Sequence, residues 1–227
     1  MGYSYEETNC NCCGSDKKSL FLESDKPQWY EKKVMRLVVC DECGLVYASP
    51  RPKLGDVYRT HLLGEEPDDF HRKLTRKNVL QIHANVISEA ISVLGYKPKR
   101  LFDMGFGAGT IMMAAKAMGI EAGGNDVNQY SVDKVREMGF QDVQCGFTEK
   151  LSFPGECYDI ITMLDYIEHT YTPMDDLLKA CAMLKSGGVL YVKTLFLGSK
   201  NHIEQGENWN LFGSGHVHFF TPAKLKS

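Results

Sequence analysis

From Lys99 onward the chain alternates short apolar runs with stretches in which apolar residues recur every three or four positions. Apolar runs of about four to eight residues bounded by turn residues predict buried strands, and the helical spacing predicts helices packed on them. The expected order is strand 100–104, helix 109–118, strand 121–126, helix 128–138, strand 141–145, strand 158–164, helix 173–185 and strand 188–196. Strands alternating with helices imply an α/β fold with a mainly parallel sheet covered on both faces. Right-handed crossovers restrict it to a doubly wound arrangement. Helix 173–185 opens with Thr172 as cap, Pro173 at the first position and Asp175 and Asp176 in the first turn.

Upstream, Leu74, Val79, Ile82, Val86, Ile87, Ile91 and Leu94 fall on one stripe, which predicts a helix over 68–94. His71, Arg72, Lys73, Arg76 and Lys77 give it a basic start, open to two readings: a solvated face, or a contact to a phosphate or substrate carboxylate. Residues 1–55 differ in texture. Ser19-Leu20-Phe21-Leu22, Val34 to Val39 and Leu45-Val46-Tyr47 read as three short strands, and Ala48-Ser49-Pro50-Arg51-Pro52 as a turn-rich exit. The expected division is therefore a β module at 1–55, a helical connector at 56–98 and an α/β domain at 99–227.

So short a module needs a staple, and cysteine spacing supplies one. Cys10-x-x-Cys13-Gly14 and Cys40-x-x-Cys43-Gly44 are matching knuckles, each glycine permitting the tight turn that aims both sulfurs at one ion. Four thiolates suit tetrahedral Zn2+. Cys12 reads as a bystander, because Cys10 and Cys13 match the spacing and glycine of the second knuckle. Cys145, Cys157 and Cys181 read as packing or surface residues.

The chain has a net charge of −3 and is 43% hydrophobic. Lys and Arg balance Asp and Glu at 9 to 9 over residues 1–60, 7 to 5 over 61–100 and 10 to 15 over 101–227. No basic footprint for a nucleic-acid partner emerges. There is no apolar run of about 18 residues and no apolar leader segment, so a cytoplasmic protein with no membrane partner is expected. Oligomeric state leaves no mark on the sequence.

The most informative stretch is Arg100 to Thr110, an apolar strand running into glycines at 105, 107 and 109 and then a helix. Without Cβ atoms these glycines let the backbone touch a ligand. A dinucleotide site would read G-x-G-x-x-G, but Thr110 stands at the sixth position, and the pattern is D-x-G-x-G-x-G from Asp103. This resembles the motif of class I S-adenosylmethionine (SAM)-dependent methyltransferases. With the cysteine knuckles, the resemblance extends from Cys10 to Pro222 and points to the type-11/12/23 group that carries an N-terminal zinc ribbon. It implies a Rossmann-like fold. In that fold an antiparallel edge pair follows the fifth strand. Here Thr221-Pro222-Ala223-Lys224-Leu225-Lys226-Ser227 reads as the start of the next helix, so the edge pair is expected to be missing and the domain C-terminally incomplete.

The resemblance also implies the cofactor site, since ligands of open parallel sheets bind beyond the carboxyl ends of the strands. Asp103 with Gly105, Gly107 and Gly109 would hold the amino-acid end of SAM. Asp126, with Val127 beside it, would accept from the ribose hydroxyls, a job that needs two acceptor oxygens. A cap for the following helix is the other use of a carboxylate there, and Asn128 suits that better. Phe147 stands where the family often has an Asp for the adenine amino group; it can pack on the base, and Thr148 can meet its edge. Asp165 would lie beside the sulfonium or the acceptor, in Asp165-Tyr166-Ile167-Glu168-His169, where Glu168 reads as structural. His216, in the segment His216 to Pro222, matches the family's general-base position better than His218 does. His169 is the second candidate, since histidine suits proton removal near neutral pH. For both histidines a surface or supporting role is the alternative.

The expected activity is methyl transfer from SAM to a small-molecule acceptor, a sugar nucleotide or a secondary metabolite, with the zinc module shaping the acceptor site. Two alternatives are an rRNA methyltransferase with a zinc ribbon, which the charge balance disfavours, and a non-catalytic SAM-binding scaffold.

Overall fold

The computed structural model describes residues 3–24, 35–57, 67–213 and 215–225, without the side chains of 24, 35 and 67–69. Val34, the first residue of the second expected strand, Ser214 and residues 226–227 lie outside them. The chain forms two compact units. The first comprises 1–60, 165–174 and 194–227, and the second 61–164 and 175–193.

The first unit begins with β1 (Tyr5–Glu6), β2 (Lys18–Ser24), β3 (Met35–Cys40), β4 (Val46–Ala48), β5 (Arg51–Pro52) and a single helical turn, α1 (Leu54–Val57). β2 pairs antiparallel with β3, and β3 with β4, so the three strands expected around the knuckles form one meander. β1 pairs separately with β5.

The second unit opens with α2 (Pro67–Leu74) and α3 (Val79–Leu94) in place of the single helix expected over 68–94. Asn78 breaks the helix with a left-handed backbone, φ 59°, a conformation that Asn tolerates better than most side chains. The break shifts the buried stripe. Val79, Val86, Ile87 and Ala90 are buried, while Ile82 is 42% exposed.

Next come β6 (Arg100–Met104), α4 (Thr110–Ala117), β7 (Glu121–Asp126), α5 (Gln129–Glu137), β8 (Val143–Cys145), β9 (Tyr158–Leu164), α6 (Pro173–Met183) and β10 (Leu184–Lys193). The five strands pair in parallel in the order β10-β9-β6-β7-β8. β6 starts the sheet in its middle, and the chain builds outward first on one side and then on the other. The order therefore reverses between β6 and β9, the place where such sheets bind ligands. Leu101, Phe102, Met104, Ile160, Ile161 and Met163 are fully buried in the two central strands, each contributing about 1.5–3 kcal/mol through burial.

Two further expectations are corrected here. The last strand begins at Leu184, directly after α6, and ends at Lys193, not at 196; its register shifts before Val189, where Gly187 adopts φ +77°. The cap expected from Thr172 is not made: its hydroxyl is buried with no hydrogen-bond partner, and the Thr172 N–H donates to Thr170 Oγ1 instead.

From Thr194 the chain returns to the first unit through α7 (Lys200–Gln205) and β11 (His218–Phe219), which pairs antiparallel with β4. Leu197, Trp209, Phe212 and Phe219 of this segment pack with Leu22, Leu37, Val46 and Ala48 of the meander. The segment read as an acceptor loop thus also supplies half of the module's core. After β11, Thr221 accepts from the N–H groups of Lys224 and Leu225 to close a turn. Among the described residues no helix is long and apolar enough to cross a membrane.

Candidate active site

At the tip of β6 the N–H groups of Gly105 and Phe106 both donate to Asn125 O of β7, at 2.8 and 3.2 Å. That tether fixes the glycine loop against its neighbouring strand. Gly105, Gly107 and Gly109 all have left-handed φ values, 73°, 52° and 68°. A Cβ on Gly109 would stand 2.9 Å from Val135 Cγ2, so bulk is excluded there as well as strain. Gly109 caps α4 with no side chain, which leaves the first-turn amides and the positive end of the helix to an anionic group.

Asp126 closes the loop from the tip of β7. Its Oδ2 accepts from Gly107 N–H and its Oδ1 from Asn128 N–H, both at 2.8 Å. Asn128 caps α5 through Ser131 N–H at 2.9 Å, so capping is its task and Asp126 belongs to the loop. Burial raises the Asp126 pKa, against the pull of the two amides and of Lys73. Lys73 also reaches the loop, its Nζ lying 4.0 Å from where a Cβ of Gly107 would stand. Lys73 thus brings one member of the basic cluster at 71–77 to the glycine loop.

Asp103 is buried and accepts from Thr162 Oγ1 at 2.6 Å. Burial pushes its pKa up to about 7, against the Thr162 hydroxyl and with the Asp126 carboxylate adding to the rise. Sequence reasoning missed Thr162, although a hydroxyl inside the apolar run of β9 was a visible signal. Thr148 is buried and its Oγ1 accepts from Asn125 Nδ2 at 2.9 Å. The turn it begins is pinned by Lys179 Nζ, which donates to the carbonyls of Thr148, Glu149 and Leu151. Phe147 and Val127 are half-buried, and Lys150 Nζ lies 5.6 Å from the Phe147 ring centre.

The other candidates gather in the first unit. Asp165 has a left-handed backbone, φ 51°. Glu168, His169 and His216 each place one potential ligand atom within 4.8 Å of the others, and the two imidazole centres lie 4.6 Å apart. His169 Nδ1 lies 3.2 Å from Gly215 O, and His216 Nδ1 lies 2.8 Å from Leu211 O. A carbonyl can only accept, so each ring carries a proton on Nδ1. Burial lowers the His216 pKa, and His169 beside it adds to that. Glu168, read from sequence as structural, is buried and accepts from Thr194 Oγ1 at 2.7 Å. Its backbone carbonyl accepts from Val217 and His218 N–H. His218 is wholly enclosed, and burial, with Arg51 nearby, pushes its pKa down to about 3. It is a neutral core residue.

Cys10, Cys13, Cys40 and Cys43 hold their sulfurs within 4.8 Å of one another. Cys10 and Cys43 are 3.5 Å apart, Cys13 and Cys40 3.6 Å. Tetrahedral Zn2+ with Zn–S bonds of about 2.3 Å separates its sulfurs by roughly 3.8 Å, so the donor set fits. The knuckles repeat each other: Gly14 N–H donates to Cys10 O at 2.8 Å and Gly44 N–H to Cys40 O at 2.9 Å. Burial opposes ionisation of Cys40, yet the amides of Cys43 and Glu42 and the neighbouring thiols bring its pKa down to about 7.

Comparison with known proteins bears on the fold and the family. A family model described as a methyltransferase domain matches residues 79–227. Ubiquinone biosynthesis O-methyltransferase of Parvibaculum lavamentivorans is 28% identical over 119 residues, covering 50% of this chain and 47% of that protein. The chain spans about half the length of the curated relatives it matches. A SAM-dependent methyltransferase from Archaeoglobus fulgidus superposes with a TM-score of 0.56 at 19% identity, over 71% of each chain. The plantazolicin methyltransferase BpumL, solved in complex with SAH, superposes at 0.57 and 16% identity, over 71% of this chain and 68% of that one. The structural likenesses establish the class I methyltransferase fold, and the family match, covering more than half of the sequence, establishes that this chain belongs to the methyltransferase-domain family.

Proposed function

We propose that this chain binds SAM at the tips of β6 and β7 and transfers its methyl group to a hydroxyl oxygen of a small-molecule acceptor. The observation that carries the reading is the closure of the glycine loop by Asp126 across the tips of β6 and β7, next to the point between β6 and β9 where strand order reverses. Two acceptor oxygens held at fixed positions beside bare backbone amides suit a nucleoside diol at one end and a charged amino acid at the other. Relatives named as O-methyltransferases favour oxygen as the acceptor atom.

Bound SAM supplies a methyl group already activated by its sulfonium. The residues have the tasks that remain. Asp103 pairs with the cofactor's ammonium, and the amides opening α4 face its carboxylate. Asp126 takes the ribose hydroxyls, and Phe147 and Val127 pack on the base. His169 and His216, each presenting Nε2, hold the acceptor hydroxyl and ease the departure of its proton. The four cysteines hold a structural Zn2+ that stiffens the module carrying these histidines.

The test is incubation of the protein with methyl-labelled SAM and a panel of phenolic, catecholic and sugar-nucleotide hydroxyl acceptors. Label transferred to one class, with stoichiometric S-adenosylhomocysteine, supports the reading. Binding of SAM without transfer to any hydroxyl compound refutes the assignment of the acceptor.

A further inference from the structure

In the first unit, Glu6, Glu7, Thr8, Asn9, Asn11 and Arg51 line an open cleft of about 450 Å3, within the size range of small-molecule sites. Its charges are matched. Arg51 Nε donates to Glu6 Oε1 at 3.0 Å, and Lys18 Nζ donates to Glu7 Oε2 at 3.3 Å. The cleft therefore draws in neither a cation nor an anion by net charge. The second oxygen of each carboxylate, Glu6 Oε2 and Glu7 Oε1, accepts no bond from the described residues. Other oxygens of the wall are unpaired too. Thr8 is 9% exposed, and neither its Oγ1 nor Asn11 Oδ1 has a hydrogen-bond partner among the described residues. Asn11 Nδ2 donates to Tyr171 O at 2.7 Å, and the hydroxyl of the next residue, Thr172, is a third buried group without a partner. Buried polar groups nearly always find a hydrogen bond, so three such atoms on neighbouring segments call for an explanation. The frame around them is fixed. The Arg51 guanidinium lies 4.0 Å from the centre of the Tyr171 ring, and the Tyr171 hydroxyl donates to Pro52 O at 2.6 Å.

The chemistry of these groups selects the ligand. Asn11 Oδ1 and the two carboxylate oxygens only accept, whereas the Thr8 hydroxyl and the Asn9 amide, the latter exposed at the rim, both donate and accept. A matching ligand must offer several donors at neighbouring points, together with some acceptors, and carry no net charge. An ammonium group only donates. A phosphate mainly accepts, and would meet two carboxylates. Adjacent hydroxyl groups, each a donor and an acceptor, answer the whole set. We propose that this cleft binds a neutral, hydroxyl-rich sugar ring, whose hydroxyls pair with Thr8, Asn9, Asn11 and the unpaired oxygens of Glu6 and Glu7. Small rotations of the Thr8 and Asn11 side chains bring their enclosed oxygens to the ring. The cysteine module then has a recognition task besides holding Zn2+. The inference goes beyond the methyl-transfer reading and does not depend on it, because no part of the cleft belongs to the proposed cofactor site.

The experiment follows the backbone amide resonances of the zinc-replete full chain, without SAM, as methyl glycosides of glucose, galactose and mannose are added. Uridine diphosphate glucose is the nucleotide-linked probe, and choline and inorganic phosphate are the charged controls. Saturable binding of at least one glycoside in the millimolar range is expected, with shifts gathered in residues 6–11 and at Arg51. Thr8→Val keeps the bond from the residue 8 N–H to Ser49 Oγ and removes a hydroxyl that has no partner. Its melting temperature should therefore hold or rise, while affinity for the glycoside falls roughly threefold to tenfold, as for one lost hydrogen bond. Asn9→Ala, at the exposed rim, should weaken binding to a similar degree with zinc content unchanged. No saturable shift with any glycoside at high millimolar concentration, shifts confined to other residues, or undiminished binding in Thr8→Val overturns the proposal. Choline or phosphate binding in the cleft as tightly as the glycosides overturns it as well, as do equal shifts there from uridine diphosphate alone and from its glucose ester. Glycoside binding without any methyl transfer would count against the proposed function alone, and methyl transfer without glycoside binding against this inference alone.

Discussion

The backbone N–H of Gly107 donates to the Asp126 carboxylate across 2.8 Å, tying the turn after the first sheet strand to the acid that ends the second. Asp126 therefore holds the glycine loop in shape, and in the proposed reading it also offers oxygens to the cofactor's diol. Asp126→Ala removes both, and a charged hydrogen-bonding group is worth about 1.5–3 kcal/mol. SAM affinity is expected to fall roughly tenfold to a hundredfold, measured by calorimetry, with the melting temperature little changed.

In the proposed reading Asp103 gives cofactor binding a pH dependence. Its pKa is pushed by burial up to about 7, and only the ionised form pairs with the cofactor's ammonium. At pH 6 it is about nine-tenths protonated, and at pH 8 about nine-tenths ionised. SAM should therefore bind roughly tenfold more tightly at pH 8 than at pH 6, and Asp103→Asn should flatten the profile as it weakens binding. The ligand-free protein has the opposite trend from this group. With a folded pKa above the unfolded one, the native state binds more protons between about pH 4 and pH 7, so the contribution of Asp103 to stability declines as pH rises through that window.

Asp159 governs the other end of the sheet. Burial opposes its charge, yet Lys185 at 2.8 Å, the N–H groups of Arg100 and Lys99, and the Tyr96 hydroxyl bring its pKa down to about 2. The carboxylate thereby fastens the start of β6 to β9. Its contribution is complete above the ordinary aspartate range and is lost as pH falls from about 4 towards 2. Asp159→Ala should cost about 2–3 kcal/mol, below the range for a fully buried pair because Lys185 is partly exposed. Thermal unfolding at pH 7 should drop by roughly 5–10 °C, and the variant should lose the acid-induced part of the wild-type destabilisation.

Zinc removal should affect the first unit. One Zn2+ per chain is expected by elemental analysis, lost in Cys40→Ser and retained in Cys12→Ser, because Cys12 lies outside the four-sulfur group. A strong chelator should raise protease sensitivity within residues 3–57 and 194–225, since the return segment shares its core with the cysteine meander. The sheet of the second unit should keep its far-ultraviolet signal.

The parallel sheet was legible because buried strands leave continuous apolar runs and the glycine loop leaves a spacing that few other structures need. Asp103, Asp126 and the paired knuckles stood out as candidates for the same reason: each is a residue type set at a fixed spacing from a turn. What escaped was set by contacts distant in sequence. The return of 194–225 to the cysteine module depends on Trp209 and Phe212 meeting Leu37 and Ala48, and no local period records that. The break at Asn78 interrupts a helical stripe without disturbing its spacing. Thr162, Thr194 and Lys73 act by supporting or facing other groups, so their signals are single polar residues in otherwise ordinary surroundings.

The most direct test of the central claim is isothermal titration of the zinc-replete protein with S-adenosylhomocysteine and with SAM at pH 8. One site per chain is predicted for each, with affinity sharply reduced by Asp126→Ala. Absence of heat and of any thermal stabilisation at millimolar ligand, in a sample whose circular dichroism shows the folded sheet, would contradict the account.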